Sequence, residues 1–269
     1  MKRDRLIYSV LLILCITGFW LFDNFYTPPV YSAGETTDTG EVFSQSYLPA
    51  PTGGERVVHS YYMLSYNEAH EQAEWVAYRL DKGQLTYQDR ERPYFVEDPF
   101  VRSKSADWRN YKGSGYDRGH LCPAGDRRFS EQAYNETFYT SNISPQDREF
   151  NAGIWNELEK QVRRWSKEKG SLHIITGGVL QEGLPSIGDE DVSVPGYFYK
   201  VVIAGQPAKP KLLAFLLPNR DSDQPLRQFL VPLDSIEALT GIDFLAGLPL
   251  SLQDKLEAGV NSSGWKFSN

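Results

Sequence analysis

His120 is the residue from which a chemistry can first be argued. It lies in YDRGHLCPAGDRR, residues 116–128, among Asp117, Arg118, Cys122, Asp126, Arg127 and Arg128. An imidazole has an unperturbed pKa of about 6.5, so it can take a proton from water near neutral pH. A zinc site does not fit the spacing. The chain has four histidines (His59, His70, His120 and His173), none paired at i, i+4, and Cys122 makes no recognised ligand pattern with His120. Taken alone, His120 stays open between a proton-transfer group and a structural histidine bonded to backbone.

Charge adds a second constraint. A formal net charge of -7 over 269 residues argues against a surface coated for indiscriminate anion binding, so positive charge has to act locally. Between residues 101 and 130 the basic side chains Arg102, Lys104, Arg109, Lys112, Arg118, Arg127 and Arg128 outnumber Asp107, Asp117 and Asp126. Arg118, Arg127 and Arg128 are read as contacts to an anionic substrate, the alternative being a solvated charged loop.

Further along, Ile154, Trp155, Leu158, Val162 and Trp165 recur every three or four residues, which predicts a helix over about residues 146–169. At about 100° per residue from Asn151, these five side chains span about -60° to about +40°. Asn151 then falls in the middle of the buried face. An amide there needs a partner, either a neighbouring loop or a metal ion bound through its oxygen. Glu159, at about +80°, borders the same face and could approach a site from the side or pair with a basic neighbour.

The elements that must position these groups are mostly strands. VVHSYYMLSYN and AEWVAYRL, separated by a polar EAHEQ, read as an antiparallel pair, and LHIITGGVL, GYFYKVVIAG and KLLAFLLPN add further strands. With few helices among them, the fold class is α+β.

YDRGHLCPAGD, then SNISPQ, then FNAGIWNELE resembles, in order and spacing, the DNA/RNA non-specific endonucleases of the ββα-metal (His-Me finger) superfamily. SYNEAHEQAEWVAYRL, VPGYFYKVV and LTGIDFLAGLP look like bacterial, membrane-anchored or exported members of that family. The likeness extends over about residues 56–250, and three ordered blocks are far more specific than D-R-G-H alone. It implies a central antiparallel sheet flanked by helices, and hydrolysis of phosphodiester bonds in DNA and RNA with little sequence preference. It makes His120 the general base and Asn151 the direct protein ligand of a Mg2+-type ion, with Mn2+ or another divalent ion also admissible. Arg118 would contact the phosphate, Asn142 would orient groups at the site, Glu159 would act from the metal's water shell, and Asp117 would support the structure. Two other readings are a catalytically weak nucleic-acid-binding module on the cell surface and a phosphodiesterase of small nucleotides.

Lys2, Arg3 and Arg5 precede an apolar stretch, residues 6–22, that as a helix would be about 26 Å long, just enough for a membrane. Asp23, Asn24, Phe25 and Tyr26 supply no small-residue cleavage site. The expected organisation is a signal anchor over 1–23, a flexible linker over 24–55 rich in Pro, Thr, Gly and Ser, and the endonuclease domain over 56–269. Basic residues on the amino side orient the domain away from the cytoplasm, periplasmic or extracellular, with secretion after signal cleavage as the alternative. Cys15 and Cys122 cannot plausibly pair, so the core must stabilise the domain without a disulfide. The oligomeric state is not legible, a homodimer being one assembly the sequence allows.

Overall fold

Side chains that alternate along strands, apolar on both sides, need cover on both faces of a sheet. That is what the chain builds in the computed structural model, which describes residues 2–26 and 43–267. Strands β1 (Glu55–Val58), β2 (Met63–Asn67) and β3 (Gln72–Asp81) precede a long irregular stretch. The short strand β4 (Asp117–His120), helix α2 (Glu131–Glu136) and strand β5 (Ile143–Gln146) follow; here α1 is the N-terminal helix Lys2–Phe25. A helical segment comes next, α3 (Arg148–Phe150), a wide π turn (Asn151–Trp155) and α4 (Asn156–Lys169). The chain continues with β6 (Ser171–Gly178), β7 (Ser186–Ile187), β8 (Val192–Ser193), β9 (Tyr197–Ala204), β10 (Lys211–Pro218), β11 (Leu230–Val231), α5 (Leu233–Thr240) and α6 (Leu250–Glu257).

Seven strands form one antiparallel sheet in the order β1-β2-β3-β6-β9-β10-β11. The two-residue period sorts its side chains. Val76, Tyr78, Leu172, Ile174, Phe198, Val202, Leu213 and Phe215 face one core with Leu158, Val162 and Trp165 of α4. Trp75, Ala77, Ile175, Tyr199, Val201 and Ala214 face the other, with Leu233 and Ile236 of α5. The α+β expectation and the antiparallel β2-β3 pair are met. β4 and β5 form a separate two-stranded ribbon whose Leu121 and Cys122 end joins the α4-side core. A third cluster, with Phe95, Tyr111, Tyr134, Phe138 and Ile143, packs around the ribbon.

Two expectations are corrected here. The helix read as continuous over 146–169 is broken: Gly153 leaves helical geometry (φ -94, ψ -112), and the regular helix begins at Asn156. Asn151 therefore lies before the break, half-buried, and not in the middle of α4's apolar stripe. A glycine tolerates the excursion because it has no Cβ, and π turns of this kind recur at functional sites. The linker read over 24–55 is also shorter than expected. Residues 27–42 lie outside the described residues, but Phe43, Tyr47 and Leu48 are buried in the α5-side core. The Tyr47 hydroxyl donates to Gly205 O at 3.1 Å, and Ala50 N–H donates to Asp243 O at 2.8 Å.

Residues Met1–Val30 form a unit separate from Tyr31–Asn269. The former holds a helix whose Asp4–Phe25 portion is long and apolar enough to cross a membrane, with mean hydropathy 2.1.

If the 43–48 segment is part of the core, Tyr47→Ala should lower stability by about 3 to 5 kcal/mol, the usual cost of emptying a large aromatic site. Urea unfolding followed by tryptophan fluorescence checks this; an unchanged midpoint would restore the linker reading.

Candidate active site

The ribbon's alternation decides which way each D-R-G-H side chain goes. His120 pairs with Ile143 and Arg118 with Pro145, both on one face of the ribbon, while Asp117 and Gly119 take the other. Gly119 is needed there: a Cβ would stand 2.1 Å from the Gln146 side chain. On the first face His120 lies edge-on to Phe138 (centroids 4.9 Å apart) and tilted against Phe95 at 5.6 Å. Its Nε2 is sealed from solvent and has no hydrogen-bond partner, whereas Nδ1 is not closed off and takes no bond among the described residues. Burial, and secondarily the positive charge of Arg92, lower the imidazole pKa to about 3. The ring is therefore neutral at pH 7, and burial makes it a weaker base than a free imidazole.

Arg118 extends beside it. Its guanidinium lies 5.2 Å from the Phe95 centroid and 5.3 Å from that of Trp108, and its Nε takes no hydrogen bond among the described residues. Burial lowers its pKa, and Arg92 acts in the same direction. The Arg92 guanidinium covers the two rings that His120 packs against, 5.6 Å from Phe95 and 5.8 Å from Phe138. Arg92, Arg118 and His120 thus converge on one phenyl ring, in an arrangement suited to an oxyanion. The sequence reading missed Arg92, Phe95 and Trp108. The local cue was RERPYF, an arginine beside aromatics in a loop, but its distance from D-R-G-H carried no periodic signal.

Asn151 is tied to the other end of β4. Its Nδ2 donates to Asp117 Oδ2 at 3.4 Å, and Arg148 Nε meets the second carboxylate oxygen at 3.3 Å. Asp147 begins this segment by accepting the N–H groups of Glu149 and Phe150, each at 3.0 Å. With Nδ2 engaged, the Asn151 carbonyl oxygen takes no hydrogen bond among the described residues. A neutral oxygen donor left open in this way suits a hard divalent cation. Glu159, one turn into α4, accepts from Arg163 Nη2 at 3.3 Å, and Arg163 Nε donates to Asp126 Oδ1 at 2.5 Å. Burial raises the Glu159 pKa, opposed by Arg163 and by the buried Lys200.

Three assignments change on these contacts. Asn142 is fully buried and its amide is used up. Oδ1 accepts Cys122 N–H at 2.8 Å, and Nδ2 donates to Cys122 O at 3.0 Å and Thr137 O at 2.9 Å. It positions the turn after His120 and does not face substrate. Arg127 is likewise fully buried, donating to Tyr61 O and Arg79 O at 3.0 and 3.1 Å and stacking on Tyr78, so it cannot bind substrate. The basic run is not one patch either, since Arg102 pairs with Glu55, Lys104 with Glu97 and Arg109 with Asp107. Arg128 stays half-buried at the surface, with Nη1 donating to Gln88 O at 3.1 Å. Cys122 is buried and its thiol pushed up to about 12, so it packs and does not react.

Other clusters lie elsewhere. His59 is fully buried against Asp98 at 2.9 Å, beyond reach of a substrate. Asp234 and Glu237 of α5 and Glu257 of α6 bring ligand atoms within 4.8 Å of one another and could hold a divalent cation. These helices cover the sheet face opposite α4, so this group is distinct from the His120 region.

Two measurements test the geometry. In an NMR titration the His120 ring should remain neutral at about pH 5.5, a pH at which an unperturbed imidazole is mostly protonated. A pKa at or above about 6.5 would show that the ring is not shielded. Because its folded pKa lies below the unfolded one, His120 adds stability above the unfolded value that is lost as pH falls toward the folded value. Asn142→Ala, which strands three backbone groups, should cost about 2 to 5 kcal/mol in thermal or urea unfolding. A variant as stable as the parent would return Asn142 to the list of substrate contacts.

The chain is similar to known nucleases. The chain is 35% identical over 228 residues to Nuclease 1, mitochondrial, of Schizosaccharomyces pombe, covering 77% of this chain and 70% of that protein. It is 35% identical over 207 residues to Endonuclease G, mitochondrial, of Homo sapiens, covering 70% and 68%. A crystal structure of the EndoG/EndoGI complex superposes with a TM-score of 0.69 at 30% identity, covering 83% of this chain and 94% of that one. These findings correct the expected bacterial, membrane-anchored or exported member, and with it the periplasmic or extracellular placement. The relatives are eukaryotic nucleases named as mitochondrial, and further animal relatives carry the same designation. An apolar N-terminal helix does not decide between compartments, because signal sequences and anchors share its composition. A family model described as DNA/RNA non-specific endonuclease matches residues 40–251, and on that match the chain belongs to the DNA/RNA non-specific endonuclease family.

Proposed function

We propose that the chain hydrolyses phosphodiester bonds in DNA and RNA with little sequence preference, using His120 as general base and a Mg2+-type ion held through Asn151. The observation that carries this reading is a neutral imidazole beside the Arg92 and Arg118 guanidiniums, which no carboxylate among the described residues bonds, with the first residue of the imidazole's strand bonded to Asn151.

Each residue's part follows from its surroundings. His120, neutral and open at Nδ1, takes the proton from the attacking water. Arg118 and Arg92 bind the non-bridging oxygens and stabilise the charge that builds on them as the phosphorus becomes five-coordinate. Their aromatic supports fix the two forks without neutralising them, which keeps their charge for the substrate. Asp117 orients the Asn151 amide by accepting from Nδ2, leaving Oδ1 directed elsewhere as a ligand atom. When bound, the ion would neutralise the scissile phosphate and the leaving oxygen. Glu159, held by Arg163, would accept hydrogen bonds from waters in the ion's shell. None of these groups reads a base edge, so affinity should come from phosphate contacts and weaken as salt rises.

His120→Ala should reduce cleavage of plasmid DNA and of RNA at least about a hundredfold, the low end for removing a general base, while the fold survives. Full activity in the folded variant would end the base assignment. Mn2+ added to the wild type should broaden the NMR signals of both Asn151 and His120, and Asn151→Ala should abolish the broadening. Broadening confined to the Asp234, Glu237 and Glu257 group would place the ion elsewhere. Binding of nucleic acid without cutting, with and without Mg2+, would favour a binding module over a nuclease.

A further inference from the structure

The outer face of α4 carries a feature the reaction above does not use. Lys160, Arg163, Arg164 and Lys167 fall within about 100° of arc on the helix, opposite the stripe of Leu158, Val162 and Trp165 that faces the core. They line a groove with Arg128, Gly125 and Tyr87, and no acidic residue among the described residues lines it. Arg163 is neutralised by Asp126 and Glu159. Lys160, Arg164 and Lys167 are exposed, and no carboxylate pairs with any of them among the described residues. Arg164 donates to Gln161 Oε1 at 3.2 Å, and Lys167 Nζ donates to the Tyr87 hydroxyl at 2.9 Å. Acids nearby include Glu168 at the edge of the helix face, Asp89, 3.9 Å from Arg128, and Glu157 and Asp223, which line an adjoining groove that Lys160 and Arg164 also border.

Three unpaired cations on one exposed helical stripe repel one another, and in a chain of net charge -7 they are not needed for solubility. Arg163 lines the groove and bonds Glu159, the residue that the proposed reaction places beside the ion's water shell. Tyr87, 87% exposed, presents its ring at the rim with Lys167 5.2 Å from the centroid. An exposed aromatic ring beside lysines and arginines is the pairing by which proteins hold a nucleic-acid strand, the charges following the phosphates and the ring taking a base.

We propose that this groove is a second phosphate-binding track, which holds the backbone of a polynucleotide outside the phosphate being cut, with Tyr87 as a stacking face. The proposal rests on the nuclease reading for the direction of the strand, but not for the existence of binding. It makes the enzyme favour long substrates over short ones, because a short diester reaches the Arg118 region without filling the groove.

The triple variant Lys160→Ala, Arg164→Ala, Lys167→Ala tests it. Binding of a fluorescein-labelled oligonucleotide of about twenty nucleotides, measured by anisotropy in EDTA, should weaken at least about tenfold at physiological salt, and the slope of log K against log salt should become shallower by roughly two to three. For long DNA, KM should rise by a similar factor with kcat within about twofold, and turnover of a dinucleotide-sized diester should not change. Equal affinity and equal salt slope in the two proteins, or no oligonucleotide binding by either, overturns the track. A wild type that binds in a groove-dependent way yet cuts nothing overturns the nuclease reading and leaves the track standing.

Discussion

The constraint on which the site depends is the closed turn after β4. Asn142 satisfies both backbone groups of Cys122 and the carbonyl of Thr137 from a fully buried position, so the segment leaving His120 has one place to go. Gly119 then lets Gln146 lie across the ribbon, and the two-residue period turns Arg118 and His120 together toward Phe95. A group closed to solvent thus sets the orientation of the two that the proposed reaction uses. Buried polar networks behave this way when every member is satisfied.

Electrostatics are spent in two styles. In the irregular stretch before the ribbon, Arg102, Lys104 and Arg109 are paired with carboxylates. Around Phe95 the guanidiniums rest on aromatic faces, which attract a cation without cancelling it. Burial, and secondarily the charge of Arg92, lowers the pKa values of both Arg118 and His120. An anion entering between them would offset both the lost hydration and the repulsion from Arg92.

The break at Gly153 separates two tasks that a single regular helix could not perform. α4 must bury Leu158, Val162 and Trp165 against the sheet, while Asn151 must reach Asp117 on the ribbon. With the π turn between them, Asn151 is released from the helical register that would otherwise have pointed it into the core. Beyond the break, the regular helix keeps a buried face and a basic outer face at fixed phase.

Some of this was legible from residue types and spacing. The strands, the antiparallel β2-β3 pair and the amphipathic stripe of α4 follow from local periodicity, which depends on neighbours a few residues away. The three motif blocks named the family for the same reason: their order is a property of the chain alone. Burial is not such a property. Arg127 and Arg128 are adjacent and chemically alike, yet one stacks under Tyr78 inside the core and the other lies at the surface, and only packing separates them. Asn142 in the same way became a clamp when the Cys122 and Thr137 backbones closed on it, and Arg92 joined the site because a loop folded its guanidinium over Phe95. The compartment was illegible for another reason, since an apolar helix reports hydropathy and several destinations share it. The chain alone determined which groups are available for chemistry; tertiary contacts between distant residues decided which of them face outward, because exposure depends on what the rest of the fold places against them.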